Sequence, residues 1–359
     1  MPKPIKVLVI GCGNMGASHA RAYHAMDGFE LTGLIARGPA RREKLAAELG
    51  GVAQFDSLDE ALAATQPDAV SINSYPDSHY EYAVRCLNAG LHLFMEKPLA
   101  ETVEQAQEIV DFATEKNKKV VVGYILRVHP PWIKFVEIAK TLGKPLVMRM
   151  NLNQQSTGSE WATHKELMKS MSPIVDCGVH YVDVMCQMAR SKPLQVQAIG
   201  ARLSDEIAED MYNYGQLQVV FEDGSVGWYE AGWGPMMSKT AFFVKDAIGP
   251  NGSVSIVEPP NARAANSSDI DSHTKTNCLL HHHSEIDAGG NFTKEDILID
   301  TSDEPDHQEL CNREQAYFLK AIRENLDLSE HLKDAVNSLR IVLAADESVR
   351  TGKTILLDY

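Results

Sequence analysis

The sequence predicts an α/β fold, with a doubly wound parallel-sheet domain over residues 1–125 followed by an α+β domain over 126–359. Three observations predict it. Near-continuous apolar runs alternate with helical patterns through the first third of the chain, as strands buried on both faces of a parallel sheet do. A glycine-rich turn, Gly11-Cys12-Gly13-Asn14-Met15-Gly16, joins the first such run to the first helix. After about Leu142 the pattern changes to alternating polar and apolar residues with hairpin turns, the mark of antiparallel strands.

Lys6-Val7-Leu8-Val9-Ile10 is the first buried strand, and the glycine turn leads into a helix through Ala17-Ser18-His19-Ala20. A second strand spans Phe29 to Ala36, and a helix runs from Arg41 to Leu49. Ser57 with Glu60 forms a capping box that opens a short helix. Ala69-Val70-Ser71-Ile72 is again a strand, followed by a helix to Asn88 with Gly90 placed to cap its end. Leu91 to Met95 is the next strand. Thr102 with Gln105 repeats the capping box for a helix to Glu115, and Val120-Val121-Val122 ends the series.

In the second part, Gln216 to Phe221, the turn Glu222-Asp223-Gly224-Ser225 and Val226 to Tyr229 read as an antiparallel hairpin. Residues 258–293 are polar and weakly periodic, and read as long loops between strands. Helices are expected over Gln308 to Arg323 and Leu332 to Val349, with the option of packing back on the first domain, and a last strand over Thr354 to Leu357. No internal repeat or low-complexity tract interrupts this organisation.

At 359 residues the chain has room for two domains with sizeable cores. Its 44% hydrophobic and 23% charged residues are those of an ordinary globular protein. A net charge of −15 leaves no basic stripe for general nucleic-acid binding, although local arginines can still hold an anion. No segment approaches the roughly 18 uninterrupted apolar residues of a membrane span. Met1-Pro2-Lys3-Pro4-Ile5-Lys6 runs straight into a strand without the apolar block of a leader. The six cysteines lack CxxC spacing and read as reduced thiols. The expectation is a cytoplasmic protein with neither nucleic-acid nor membrane partners.

Gly11-x-Gly13-x-x-Gly16 lies between a strand and a helix, the setting a dinucleotide fingerprint requires. Gly11 permits the tight turn, Gly13 lets the backbone approach a pyrophosphate, and Gly16 allows close helix packing, while the helix N-terminus attracts the phosphates. NAD sites place an acid at the end of the second strand, about 20 residues on, to bind the ribose hydroxyls. Here that position reads Leu34-Ile35-Ala36-Arg37-Gly38, with Arg41 and Arg42 close behind. An arginine fork suits a 2′-phosphate, so NADP is preferred, with NAD use left open if Arg37 faces solvent or stacks on adenine.

Met95-Glu96-Lys97-Pro98 ends a later strand of the same series, placing an amine and a carboxylate where the reactive ring of the cofactor would lie. Farther on, Ser172-Pro173 reads as a helix N-cap with proline at the first position, and the helix carries Asp176 and His180 one turn apart. A carboxylate beside an imidazole raises its basicity and fixes its orientation, as proton transfer requires.

Together, Gly11-x-Gly13-x-x-Gly16, Glu96-Lys97-Pro98 and Asp176-x-x-x-His180-x-x-Asp183 resemble the Gfo/Idh/MocA family, which includes glucose-fructose oxidoreductase and inositol dehydrogenase. The similarity extends along the whole chain, to the helix through Ala335-Val336-Asn337-Ser338-Leu339 and the turn at Gly352. It implies an N-terminal Rossmann domain and a C-terminal domain built on a large, mostly antiparallel sheet. It also implies homodimers or homotetramers formed through the open face of that sheet. Lys97 would hydrogen-bond the reacting oxygen, His180 would be the general acid/base, and Asp176 would orient His180 or the substrate. Glu96 and the Asn73-Ser74-Tyr75-Pro76 segment, with His79, would line the ribose and nicotinamide. Gly11, Gly13, Asn14, Met15 and Gly16, with Ala36, Arg37 and Arg41, complete the cofactor set.

One departure is visible: the family often has a glycine pair before the aspartate, where this chain has Met171-Ser172-Pro173-Ile174. Substrate identity therefore does not carry over from a named relative. The expected reaction passes a hydride between NADP or NAD and a hydroxyl or carbonyl of a sugar, cyclitol or sugar acid. Two other readings compete with it. One is a glycosidase or lyase that uses held NAD transiently, and the other is a nucleotide-binding regulator without catalysis.

Weaker signals surround this set. Tyr124, Arg127 and His129 follow the last parallel strand; Tyr124 and Arg127 are candidate substrate contacts, with an interdomain ion pair the equal alternative for Arg127. Trp161 and Lys165 precede the catalytic helix, as a cover for the sugar or as a surface loop. Tyr214, Glu230 and Trp233 alternate on strands as core or interface residues. His281-His282-His283 alternate faces of a strand and cannot all reach one ion, so no metal is expected. Met168, Met171, Met185 and Met188 are core filler, and Cys177 is expected to be buried rather than nucleophilic.

Overall fold

The structure, a computed structural model, describes residues 2–238, 243–258 and 274–359. It contains two compact units, Met1–Val128 with Asp306–Val336, and His129–Pro305 with Asn337–Tyr359.

The first unit is built on a parallel sheet of β1 (Ile5–Ile10), β2 (Phe29–Ile35), β3 (Gln54–Phe55), β4 (Ala69–Ile72), β5 (His92–Met95) and β6 (Val120–Val122). The strand order is β3-β2-β1-β4-β5-β6, so the winding direction reverses between β1 and β4. Val7, Leu8 and Val9 have no exposed surface, as continuous aliphatic runs covered on both faces should. The connecting helices are α1 (Asn14–Ala25), α2 (Pro39–Glu48), α3 (Leu58–Thr65), α4 (His79–Asn88) and α5 (Val103–Glu115). Both expected capping residues are in place: Ser57 Oγ accepts the Glu60 N–H at 3.3 Å, and Thr102 Oγ1 accepts the Gln105 N–H at 3.2 Å.

A helix from the far end of the chain completes this unit. Asp306 caps it by accepting the Glu309 N–H at 2.8 Å, and Phe318 stacks on Phe29 with ring centroids 6.2 Å apart. Gln308 Nε2 donates to Ser18 O of α1 at 2.9 Å.

The second unit carries α6 (Pro130–Ala139), α7 (Gly158–Leu167), α8 (Pro173–Asp176) and α9 (Gly178–Ala189). The late helices of the chain are α10 (His307–Arg323), which belongs to the first unit, and α11 (Ser329–Thr351). The sheet of the second unit is formed by β7 (Val147–Gln155), β8 (Pro193–Ala201), β9 (Tyr214–Phe221), β10 (Val226–Gly234), β11 (Lys245–Gly249), β12 (Gly252–Val257), β13 (Cys278–His283), β14 (Ile297–Asp300) and β15 (Ile355–Leu356). Their order is β14-β13-β12-β11-β7-β10-β9-β8-β15, and the described pairings are antiparallel apart from β10 with β7. The expected hairpin is β9–β10, with Val226 opposite Val220.

One face of this sheet is closed by helices at short range. A Cβ on Gly227 would stand 2.7 Å from Met185 Sδ of α9, and one on Gly178 would stand 2.9 Å from Tyr229 Cε1. Met148, Met150 and Leu152 point to this side, whereas Val147 and Arg149 are exposed.

Three expectations need correction. The segment carrying Asp176 and His180 is two helices rather than one, because the chain steps at Cys177 between α8 and α9. Trp161 and Lys165 lie on α7 rather than on a loop. Within 258–293, Cys278–His283 is a strand paired with both neighbours, although residues 259–273 lie outside the described set. Pairing on both sides holds this strand, β13, and Cys278 and Leu279 are buried in it. No helix among the described residues is long and apolar enough to cross a membrane.

Candidate active site

The glycine turn sits at the carboxyl end of β1, beside the loop that follows β4. Gly11 has a φ of +91°, and a Cβ there would stand 2.4 Å from Asn73 O, so two loops meet where only glycine fits. Asn73 is itself fixed: its N–H donates to Ile10 O at 2.7 Å, and its Nδ2 donates to Ser71 Oγ at 3.0 Å. Gly13 caps α1 without a side-chain hydrogen bond, and no acid occupies the first turn. A Cβ on Gly13 would meet no atom within 4 Å. An open approach over a helix N-terminus, with Asn14 and Met15 in its first turn, fits a pyrophosphate.

The arginines beyond β2 divide into two kinds. Arg42 is buried and bonded within the unit, with Nη1 donating to Phe55 O at 2.6 Å and pairing with Asp56 at 2.7 Å. Arg37 and Arg41 are exposed, near the partly buried Ala36. Tyr75 is also exposed, above Pro76 in a short 3-10 turn. His79 is wholly buried, with Nδ1 2.8 Å from Pro98 O and Nε2 3.0 Å from Ser74 O. Burial pulls its pKa below the ordinary value while the two carbonyls oppose that shift.

Glu96 and Lys97 leave the end of β5. Glu96 is buried, and its N–H donates to Ile72 O at 2.9 Å, whereas Lys97 is half-buried. Tyr124 is buried beyond β6 and lies under the Arg127 guanidinium, 5.8 Å from its centroid. Arg127 Nη2 pairs with Asp334 Oδ2 at 2.8 Å inside the first unit, so this pair does not join the two units.

A group that the sequence reading passed over lies beneath Glu96. His19 of α1 bonds Glu96 Oε1 through Nε2 at 2.7 Å and meets Gln315 Nε2 through Nδ1 at 2.9 Å. Cys311 and Glu314 are close by, with donor atoms of His19, Cys311 and Glu314 all within 4.8 Å. Burial, reinforced by the Glu96 charge, raises the Glu314 carboxyl well above its ordinary pKa, and burial raises the Cys311 thiol. Both therefore hold protons and both His19 nitrogens are engaged, which is a hydrogen-bonded core rather than a ready cation site. The available signal was a polar residue on the buried stripe Gly16, His19, Ala20, Tyr23 of α1.

In the second unit, Ser172 caps α8 by accepting the Val175 N–H at 3.2 Å and donates to Asp346 Oδ1 at 2.6 Å. Tyr212 donates to the same carboxylate, whose pKa burial raises. Between Met171 and Ala189 every residue is buried except Asp176, Cys177, His180 and Gln187, which are half-buried. Asp176 and His180 are thus two of the four residues in this segment that keep partial exposure. Cys177 is half-buried rather than buried, and its Sγ donates to Asp176 Oδ2 at 3.6 Å. Trp161 is buried in a cluster with Met168, Ile207 and Trp233, and its Nε1 donates to Glu206 Oε1 at 3.2 Å. Lys165 pairs with Glu206 at 2.5 Å, and His164 stacks on Trp233 at 4.3 Å. Tyr214 and Glu230 lie on β9 and β10, where the Glu230 carboxylate accepts from Asn153 Nδ2.

Comparison with known proteins gives a consistent picture. Residues 5–124 match the family model GFO_IDH_MocA, described as "Oxidoreductase family, NAD-binding Rossmann fold", and residues 138–244 match the "GFO/IDH/MocA C-terminal domain". The UDP-N-acetylglucosamine 3-dehydrogenase of Acidithiobacillus ferrooxidans is 31% identical over 192 residues, covering 54% of this chain and 56% of that protein. The inositol 2-dehydrogenase of Corynebacterium glutamicum (strain ATCC 13032) is 29% identical over 201 residues, covering 55% and 58% respectively. The chain thus spans little more than half the length of these curated relatives. The apo scyllo-inositol dehydrogenase structure from Lactobacillus casei superposes with a TM-score of 0.76 at 20% identity, covering 99% of this chain and 98% of that one.

Proposed function

Because the chain belongs to the Gfo/Idh/MocA oxidoreductase family, we propose that it is an NAD(P)-dependent dehydrogenase acting on a ring hydroxyl of a sugar, cyclitol or sugar acid. The observation that carries this reading is the placement of Lys97. It leaves β5, two strands from the glycine turn on β1, at the same carboxyl edge of one sheet. Two strand spacings are about 10 Å, and ligands of open parallel sheets bind at that edge beside the switch point.

When bound, the nicotinamide supplies the two-electron acceptor at its C4. The ammonium of Lys97 hydrogen-bonds the substrate oxygen and stabilises its negative charge as the C–H bond breaks and both electrons leave as hydride. His180 accepts the hydroxyl proton, and Asp176, at the end of α8 before the step at Cys177, orients the ring and favours its charged form. The carbon–oxygen bond becomes a carbonyl, and the reverse reaction returns the same proton from His180. The names of the two curated relatives, acting at a sugar 3-position and an inositol 2-position, support a secondary ring alcohol. Arg37 and Arg41, exposed and without an acid beside them, favour NADP over NAD.

A homo-oligomer joined through the open sheet face is part of the same reading. Ile248, Val147, Val226 and Val220 lie side by side across β11, β7, β10 and β9 on that face. The six cysteines lack CxxC spacing, and a reducing compartment is part of the same reading.

The test is a spectrophotometric screen of sugars, inositols and aldonates with both cofactors, followed by Lys97→Ala and His180→Ala. Each variant should bind cofactor and lose on the order of 10²- to 10⁴-fold in turnover. Full activity in both overturns the assignment. Glycoside cleavage without net cofactor reduction would identify the transient-oxidation reading instead.

A further inference from the structure

Two buried imidazoles grip the chain on either side of Lys97. On the N-terminal side, His19 Nδ1 faces Gln315 Nε2 at 2.9 Å. An amide nitrogen only donates, so Nδ1 accepts, and Nε2 carries the proton that Glu96 Oε1 receives at 2.7 Å. Glu96 uses its other oxygen, Oε2, to accept the Lys97 N–H at 3.3 Å. The bare Gly123 of the next loop leaves room for the carboxylate, since a Cβ there would stand 3.3 Å from Oε1. Glu314 does not compete for the His19 proton: its carboxyl is buried, protonated, and without a hydrogen-bond partner among the described residues. On the C-terminal side, His79 Nδ1 lies 2.8 Å from Pro98 O and Nε2 3.0 Å from Ser74 O; both oxygens only accept, so the neutral ring donates to one of them, and the shorter contact assigns the proton to Nδ1 and Pro98.

We propose that His19, acting through Glu96, and His79, acting through Pro98, are positioning residues that set the backbone from which the Lys97 amine reaches the reacting oxygen. This rests on the reading of Lys97 given above. A lysine side chain has several rotatable bonds and little stiffness of its own, so a displaced anchor displaces the ammonium. A misplacement of about 1 Å at a reacting group costs on the order of 10²-fold in rate. Neither histidine needs to meet substrate for this effect. Both act by removing freedom from the one segment that carries the amine.

Glutamine and asparagine substitutions separate this role from general packing. Glutamine places its amide nitrogen near the Nε2 position of a histidine, and asparagine places it near Nδ1. At position 19 the contact that matters is made by Nε2, so His19→Gln should retain more turnover than His19→Asn. At position 79 it is made by Nδ1, so the ranking should invert, with His79→Asn above His79→Gln. The poorer variant of each pair should lose roughly 10- to 100-fold in kcat, and for the His19 pair the cofactor dissociation constant should stay close to that of the parent enzyme. In a Lys97→Ala background the same substitutions should cost no further turnover, because the group they position is gone.

Equal losses from both substitutions at each site, or a full additional loss in the Lys97→Ala background, overturn the proposal. Where a His19 variant fails to fold, the His79 pair decides the matter independently. Undiminished turnover in Lys97→Ala alone sinks the reading of Lys97 and this proposal with it. A normal loss in Lys97→Ala without the crossed ranking sinks the proposal alone.

Discussion

Gly16 lies so close beneath Gly11 that a Cβ added to it would stand 2.0 Å from the Gly11 carbonyl oxygen. The atom in the way is backbone, so nothing flexible can yield. Gly13, between them, faces open space within 4 Å. The glycines of one motif therefore answer to different demands. Gly16→Ala should separate α1 from the β1 turn and lower both thermal stability and cofactor affinity. Gly13→Ala should leave the melting temperature near the parent value and weaken only dinucleotide binding, measured by isothermal titration. Equal stability losses in the two variants would remove the assignment of Gly13 to ligand approach.

The split among the arginines gives a second expectation. Arg37→Asp should cut kcat/KM for NADP about 10- to 100-fold, the value of about 1.5–3 kcal/mol for a charged hydrogen bond, and improve the ratio for NAD. Arg42→Ala should act on stability, since it abandons Phe55 O and Asp56 inside the unit. Steady-state kinetics with both cofactors, beside urea midpoints, distinguish the two effects. An unchanged NADP/NAD ratio in Arg37→Asp would count against the NADP preference.

Two buried ionisable groups should tilt the pH dependence of stability in opposite directions. Lys245 is buried against the Phe243, Tyr181 and Trp132 rings, and burial lowers its pKa from 10.5 to about 7, with the Glu304 and Glu258 charges opposing. Between those values the unfolded chain holds a proton that the folded chain lacks, so stability rises with pH across this window. Lys245→Met should flatten the rise and be most stabilising below its lower edge. Glu314 is raised from 4.5, so the folded chain keeps a proton the unfolded chain has lost, and its contribution falls as pH increases above 4.5. Glu314→Gln should flatten that fall. Urea midpoints against pH for the two variants check both signs.

The row of exposed Ile248, Val147 and Val226 with half-buried Val220 predicts where self-association should be sensitive. A charge at its centre, Val226→Glu or Val147→Glu, should shift the particle to a smaller mass in light scattering, because a desolvated unpaired carboxylate is costly. The fold should persist, since both side chains are exposed. An unaltered mass in both variants would exclude this face as the contact.

Much of the first unit was legible from local rules. Capping by Ser57 and Thr102, the glycine turn and the apolar strands each depend on residues within a turn or two of one another. The helix start at Ser172-Pro173 was legible for the same reason, although the step at Cys177 between α8 and α9 was not. β3 was missed because two residues carry no period, and of β13 only the histidine run was read as strand, within a segment otherwise read as loops. Arg127 looked as suited to a substrate carboxylate as to an ion pair. Its pairing with Asp334, 207 positions away, depends on where α11 is carried by the rest of the chain.

By itself the sequence determined the strand-turn-helix around Gly11, Gly13 and Gly16, and the presence of an amine-bearing Glu-Lys-Pro at a later strand end. Tertiary structure alone decided which side chains close around that segment. His19 reaches Glu96 across 77 positions, and Gln315 reaches His19 across 296. Periodicity can say that a side chain faces inward, because that follows from backbone geometry. It cannot say which inward-facing group it will meet, because that is settled when separate helices compete for the same buried volume.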